Sequence, residues 1–129
     1  MEPRLNVLVV DDDDVVREMI ATILRRNGMN PDCVADGDSA FRQLRSRSFD
    51  AVIVDLLLPR INGFEILREI KNSFPELLPR VVVVTAASER TLRDFDSTGV
   101  RKLLRKPFDI DELVSEVVDC VHGKSVGAA

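Results

Sequence analysis

With 129 residues the chain is long enough for one hydrophobic core and too short for a second large catalytic domain. Hydrophobic side chains make up 45% and charged ones 31%, the balance of a soluble globular protein, which excludes disordered and fibrous classes. Eighteen basic against twenty-two acidic side chains give a net charge of -4, which speaks against a nonspecific nucleic-acid binder, because phosphate contacts need clustered Lys and Arg. The two cysteines, Cys33 and Cys120, fit neither a disulfide framework nor a zinc-ligand spacing, so free thiols in a reducing compartment are expected. The apolar runs are only a few residues long and the N-terminus lacks a signal-like hydrophobic stretch, so no membrane span is expected and the cytoplasm is the default location.

In chain order, the first apolar run is Val7 to Val10, which reads as a strand covered on both faces. Val16, Met19, Ile20, Ile23 and Leu24 then share one helical face, with Gly28 as the stop. Cys33 to Ala35 is a weaker run that reads as an edge strand. Phe41 and Leu44 mark a short helix that Asp38 is placed to cap. The second strong run, Ala51 to Val54, is followed by a loop containing Pro59 and the Asn62-Gly63 pair. Ile66, Leu67, Ile70 and Phe74 mark a third helix, ended by Pro75. After the run Val81 to Val84, Leu92 and Phe95 indicate a weak fourth helix that Gly99 closes. Leu103-Leu104 is the last strand. In the final helix Asp109 and Glu112 form a capping-box-like pair, and Ile110, Leu113, Val114, Val117, Val118 and Val121 make the buried stripe. Residues 1–122 are expected to form the domain and 123–129 a flexible tail.

Five repeats of strand then helix predict an α/β fold, a doubly wound parallel sheet with helices on both faces. In such sheets ligands bind beyond the carboxyl ends of the strands. Strand one ends in Asp11, Asp12, Asp13 and Asp14. Asp13 and Asp14 read best as a helix N-terminus, where carboxylates cap free N–H groups. Asp11 and Asp12 directly follow the apolar run, and by themselves they read equally as a functional pair or as part of that helix start. Asp55 interrupts an apolar stretch, where a carboxylate is costly without compensation. If Asp11, Asp12 and Asp55 converge, like charges about 4 Å apart repel by ~4 kcal/mol at an effective dielectric of 20, and they call for a cation. Oxygen-only ligands with water completing the shell describe Mg²⁺ better than zinc. Thr85 ends strand four. Lys106, read alone, is a solvated surface lysine; Pro107 after it allows a sharp turn at a strand end. A hydroxyl, an ammonium and a divalent ion around one carboxylate make an environment shaped for phosphate.

The stretches VLVVDDD at 7–13, VIVDLLLPRING at 52–63, VVVVTA at 81–86 and LLRKPF at 103–108, in this order and spacing, resemble the receiver domain of two-component response regulators over residues 5 to about 121. The resemblance implies the flavodoxin-like strand order 2-1-3-4-5 with five helices. It implies that Asp55 accepts a phosphoryl group from a sensor histidine kinase or histidine phosphotransfer protein. It further implies that Asp12, Asp55 and the Leu57 carbonyl contact Mg²⁺ with Asp11 acting through water, that Thr85 and Lys106 hold phosphoryl oxygens, and that the Lys106-Pro107 bond is cis. A one-residue slip in the acidic run would make the pair Asp12 and Asp13; the earlier pair is preferred because the apolar strand stops at Val10. A surface near the fourth helix and fifth strand would signal to a downstream effector protein or output domain, without direct nucleic-acid or membrane contact.

The family often places an aromatic residue three positions before the lysine, where this chain has Leu103, and the chain holds no Tyr or Trp. Arg101, Lys102 and Arg105 form a basic cluster near the same face, readable as a solvated edge or a docking patch. His122, the one histidine, reads as a helix C-terminal dipole partner. Two rival readings stand beside the acceptor. One is a haloacid-dehalogenase-like phosphohydrolase, since Asp11 to Val15 reads Asp-x-Asp-x-Val, with Asp11 as nucleophile and Asp13 as acid/base. The other is a receiver-like interaction module that works without phosphorylation.

Overall fold

Residues 5–93, 95 and 99–122 are described by the structure, a computed structural model. Leu5–Val10 (β1), Met29–Val34 (β2), Ala51–Asp55 (β3), Val81–Thr85 (β4) and Lys102–Arg105 (β5) form one parallel sheet in the order β2-β1-β3-β4-β5. The helices are Asp14–Arg26 (α1), Gly37–Ser46 (α2), Gly63–Ser73 (α3), Glu89–Leu92 (α4) and Ile110–Val121 (α5), with a 3-10 helix at Pro75–Arg80. After β2 the chain crosses over β1 to lay down β3, so the order reverses at the β1/β3 boundary. Ligands of doubly wound sheets bind at such a reversal, beyond the carboxyl ends of the strands.

Alternating side chains divide the sheet's two faces into two cores, as the pleat requires. Val7, Val9, Ile53, Val82 and Val84 pack with Ile20 and Leu24 of α1 and Leu113 and Val117 of α5. Leu8, Val10, Val52, Val54 and Val83 pack with Ala40 and Leu44 of α2 and Ile66 and Ile70 of α3. Because both faces are covered, β1, β3 and β4 are apolar at nearly every position, which is why they stand out as unbroken runs.

Several elements differ from the sequence expectation. The edge strand begins at Met29 and ends at Val34, rather than running from Cys33 to Ala35. Asn30 and Asp32 weaken its apolar signal, and Pro31 is tolerated because an edge strand has one unpaired side. The α2 cap is Asp36, whose carboxylate accepts the Ser39 N–H, while Asp38 lies inside the first turn. Asn62 and Gly63 belong to α3, as its cap and first residue. Pro75 ends α3 but starts the unforeseen 3-10 helix, since proline suits a first helical turn. The fourth helix stops at Leu92, and residues 94 and 96–98 lie outside the described residues.

At α5 the Asp109 carboxylate accepts the Asp111 N–H, and Glu112 stands 3.8 Å from Lys102 rather than closing a capping box. Met19 is 41% exposed, and Ala21 is buried beside Ile20 and Leu24 instead. Of the basic trio only Arg101 is withdrawn from solvent, while Lys102 is half-buried and Arg105 is exposed. Arg101 is buried and bonds Glu116 at 3.1 Å, Lys102 faces Glu112, and Arg105 reaches Ala87 and Glu89. Burial raises the thiol pKa of Cys120, which is buried, and of Cys33, which keeps an exposed surface; both are free. His122 caps the α5 C-terminus. The tail at 123–129 lies outside the described residues.

Candidate functional site

The candidate site at the sheet's carboxyl edge is built from the residues that end β1 and β3 and follow β5. Asp11 follows β1 and is held in sheet geometry by an N–H bond to the Val34 carbonyl at 3.2 Å. Its carboxylate is fully buried: Oδ1 accepts the Asp13 N–H at 2.9 Å and Oδ2 accepts Lys106 Nζ at 3.0 Å. Asp55 is the last residue of β3 and is 3% exposed. Its Oδ1 accepts the Leu57 N–H at 2.9 Å, and its Oδ2 accepts Lys106 Nζ at 2.9 Å. One ammonium therefore bridges two buried carboxylates that lie far apart in sequence. The Lys106-Pro107 bond is cis.

Asp12 is exposed, yet Asp11, Asp12 and Asp55 each offer an oxygen, and these lie within 4.8 Å of one another. Asp13 turns away and caps α1, accepting the N–H groups of Val15 at 2.9 Å and Val16 at 3.1 Å. Thr85 is buried at the end of β4, one residue beyond the Val84 that pairs with Asp55. Its hydroxyl accepts the Ala87 N–H at 3.0 Å. Leu57 is 46% exposed and touches Asp55 through its N–H. Two contacts here are invisible in the sequence. Arg17, the fourth residue of α1, donates to the Asp11 carbonyl at 2.8 Å, and Arg105 donates to the Ala87 carbonyl at 3.1 Å. Only the docking of α1 and β5 brings these arginines to the loops.

Burial pushes the Asp55 carboxyl above the ordinary carboxylate range; the Leu57 N–H and the Lys106 ammonium pull the other way, and Asp11 adds to the rise. For Lys106 burial alone would lower the pKa, but its bonds to Asp55 and Asp11 outweigh that, so the amine holds its proton more firmly than usual. Three carboxylates against one ammonium leave two negative charges in the cluster. Hard oxygen donors with two charges to spare suit a divalent cation, and Asp11, Asp12 and Asp55 are the residues that could hold it.

The model of the response regulator receiver domain matches residues 7–118. The chain belongs to that family. Among curated relatives, this receiver domain is 31% identical to response regulator MprA of Mycolicibacterium vanbaalenii over 113 residues, covering 88% of this chain and 48% of the relative. Among solved structures it resembles a response regulator receiver protein from Pseudomonas putida, with 26% identity, a TM-score of 0.82, and coverage of 92% and 99% of the two chains. It also resembles response regulator TrrA from Thermotoga maritima, determined in complex with Mg²⁺ and BeF, with 28% identity, a TM-score of 0.79 and coverage of 90% and 98%. The chain spans about half the length of the curated relatives it matches.

Receiver domains are signalling modules, which removes the phosphohydrolase rival as the family assignment. Asp13, the acid/base of that rival reading, caps α1. No helix among the described residues is long and apolar enough to cross a membrane.

Proposed function

We propose that Asp55 is the phosphoryl acceptor. The observation that carries this reading is the Lys106 ammonium, which sits 2.9 Å from the Asp55 carboxylate while three acidic side chains converge beside it. The donor is a phosphohistidine on a sensor histidine kinase or a histidine phosphotransfer protein. An ionised Asp55 oxygen attacks phosphorus in line, the P–O bond forms as the P–N bond breaks, and the electron pair leaves with the imidazole, which takes up a proton. Asp11, Asp12, Asp55 and the Leu57 carbonyl would hold Mg²⁺, a choice supported by the all-oxygen donor set and by the Mg²⁺ in the Thermotoga relative. When bound, the ion supplies positive charge against the phosphoryl oxygens.

Lys106 and Thr85 hold two of those oxygens in the product, an acyl phosphate on Asp55. Lys106 already points its donors at the acceptor, while the Thr85 hydroxyl rests on the Ala87 amide, accepting its N–H and keeping its own O–H to donate to the group. Movement of Thr85 carries the loop from Ala86 to Glu89 with it and shifts a pre-existing equilibrium of the surface near α4 and β5. An effector protein or output domain reads that surface. The chain catalyses nothing beyond its own phosphorylation and dephosphorylation, makes no direct nucleic-acid contact, and works in the cytoplasm, in keeping with its free thiols.

The test is incubation with a small acyl-phosphate donor and Mg²⁺, read by intact mass. The unaltered chain gains one phosphoryl group, lost on chelation of the metal, and Asp55→Ala gains none. A gain that survives Asp55→Ala would remove Asp55 from the role.

A further inference from the structure

Thr85 and the loop after it are tied down at two points that acceptor chemistry does not require. The Thr85 hydroxyl is engaged with the Ala87 N–H, and the carbonyl of the same Ala87 accepts Arg105 Nη2 at 3.1 Å. A second guanidinium nitrogen, Nη1, stands 3.7 Å from Glu89 Oε1 at the first residue of α4. Sheet register explains the reach. Thr85 pairs with Arg105 across the β4/β5 ladder, and the next residue, Lys106, donates its N–H to the Thr85 carbonyl at 2.7 Å. Two adjacent residues thus hold two neighbouring parts of the site: Lys106 bonds Asp55 and Asp11, and Arg105 bonds the loop.

The two halves of the Arg105 contact are unequal. Glu89 is 91% exposed and its pairing is long, so that half contributes little. Ala87 is 3% exposed, and a buried carbonyl needs a donor, so the charge-assisted bond from Arg105 is the half that matters. Leu103, two residues earlier, belongs to the apolar cluster and carries no polar group with which to follow Thr85.

We propose that Arg105 is a positioning residue that holds the loop between β4 and α4 in its resting form, so that Thr85 turns toward the acceptor only when the Ala87 carbonyl leaves the guanidinium. The inference rests on Asp55 as phosphoryl acceptor. A contact present only in the resting arrangement weakens, by linkage, any ligand that binds the other arrangement. Removing the clasp therefore tightens binding of a phosphoryl mimic.

The experiment titrates beryllium fluoride into the Mg²⁺-saturated, ¹⁵N-labelled full chain, comparing the unaltered protein with Arg105→Met, Arg105→Lys and Asp55→Asn and following the Thr85 and Ala87 amides. Arg105→Met binds about 5-fold tighter or more, the lower end of typical coupling factors. Its Ala87 amide lies displaced toward the liganded position before any beryllium is added, Arg105→Lys falls between, and Mg²⁺ affinity is the same in all three. Unchanged or weaker binding by Arg105→Met overturns the positioning role, as does an unmoved Ala87 amide. A merely structural role gives amide shifts across the whole domain and no gain in affinity, which also overturns it. If the unaltered chain shows no response that Asp55→Asn abolishes, the acceptor reading itself fails and takes the clasp with it.

Discussion

Lys106 has two buried carboxylate partners and only a fifth of its side chain in solvent, so its charge has work to do before any phosphoryl group arrives. Deleting one member of a buried ion pair commonly costs about 3–5 kcal/mol, because the remaining charge is stranded. Asp55 can escape part of that cost by taking up a proton, since burial already raises its pKa. Lys106→Met is therefore expected to destabilise the metal-free domain by about 2–3 kcal/mol. Urea unfolding in a chelator measures it, and a change under ~0.5 kcal/mol would mean that the bridge is solvated in practice. Asp11 and Asp12 show how much one residue of separation matters. The first is fully buried and the second exposed, although the sequence presents them as equivalent members of an acidic run.

At the scale of single elements, helix starts do much of the positioning. Gly63 begins α3 with no room for a side chain: a Cβ there would lie 2.3 Å from the Asp55 carbonyl oxygen and 2.5 Å from the Leu56 Cα. The requirement is for space, since the close neighbours are backbone atoms that cannot rotate away. Gly63→Ala is expected to cost about 1–3 kcal/mol, the range for overpacking, and to slow phosphorylation because the strand end carrying Asp55 must shift. Urea midpoints and the rate of mass gain check the two effects separately. Asp36, the α2 cap, has its pKa lowered below the ordinary 3.8, mainly by the Ser39 N–H. A carboxylate with a depressed folded pKa contributes stability above its unfolded value and loses that contribution as pH falls through the folded one. Asp36→Asn keeps an acceptor without the charge, so the stability advantage of the unaltered chain over this variant should shrink as pH falls below 3.8. A difference that grows on acidification would contradict the assignment of Asp36 as the cap.

On the scale of the whole molecule, a sheet covered on both faces makes the interior strands the common wall of two cores. Ile53 is fully buried in the core shared with α1 and α5, while its neighbours Val52 and Val54 belong to the opposite core. Ile53→Ala is expected to cost about 2–5 kcal/mol, the range for cavity-forming truncations, with little loss of the acidic cluster's geometry. Urea unfolding gives the cost, and retained Mg²⁺ affinity shows that the rim survives. From the sequence alone the strand-helix alternation, the three interior strands and the residues at their carboxyl ends were legible, because continuous apolar runs and the polar positions that stop them are local features of the chain. The edge strand and the 3-10 helix were not: Asn30, Pro31 and Asp32 are tolerated only at an edge, and the 3-10 turn is defined by what it packs on. The sequence likewise separated Asp11 and Asp12 from the helix-starting Asp13 and Asp14 only by where the apolar run stops, and did not distinguish Asp11 from Asp12. Tertiary structure decided that Asp11 and Asp12 join Asp55 while Asp13 caps α1, and that Arg105 reaches Ala87. Those choices depend on the register between strands and on burial at a crossover, quantities that exist only once distant segments have been brought together.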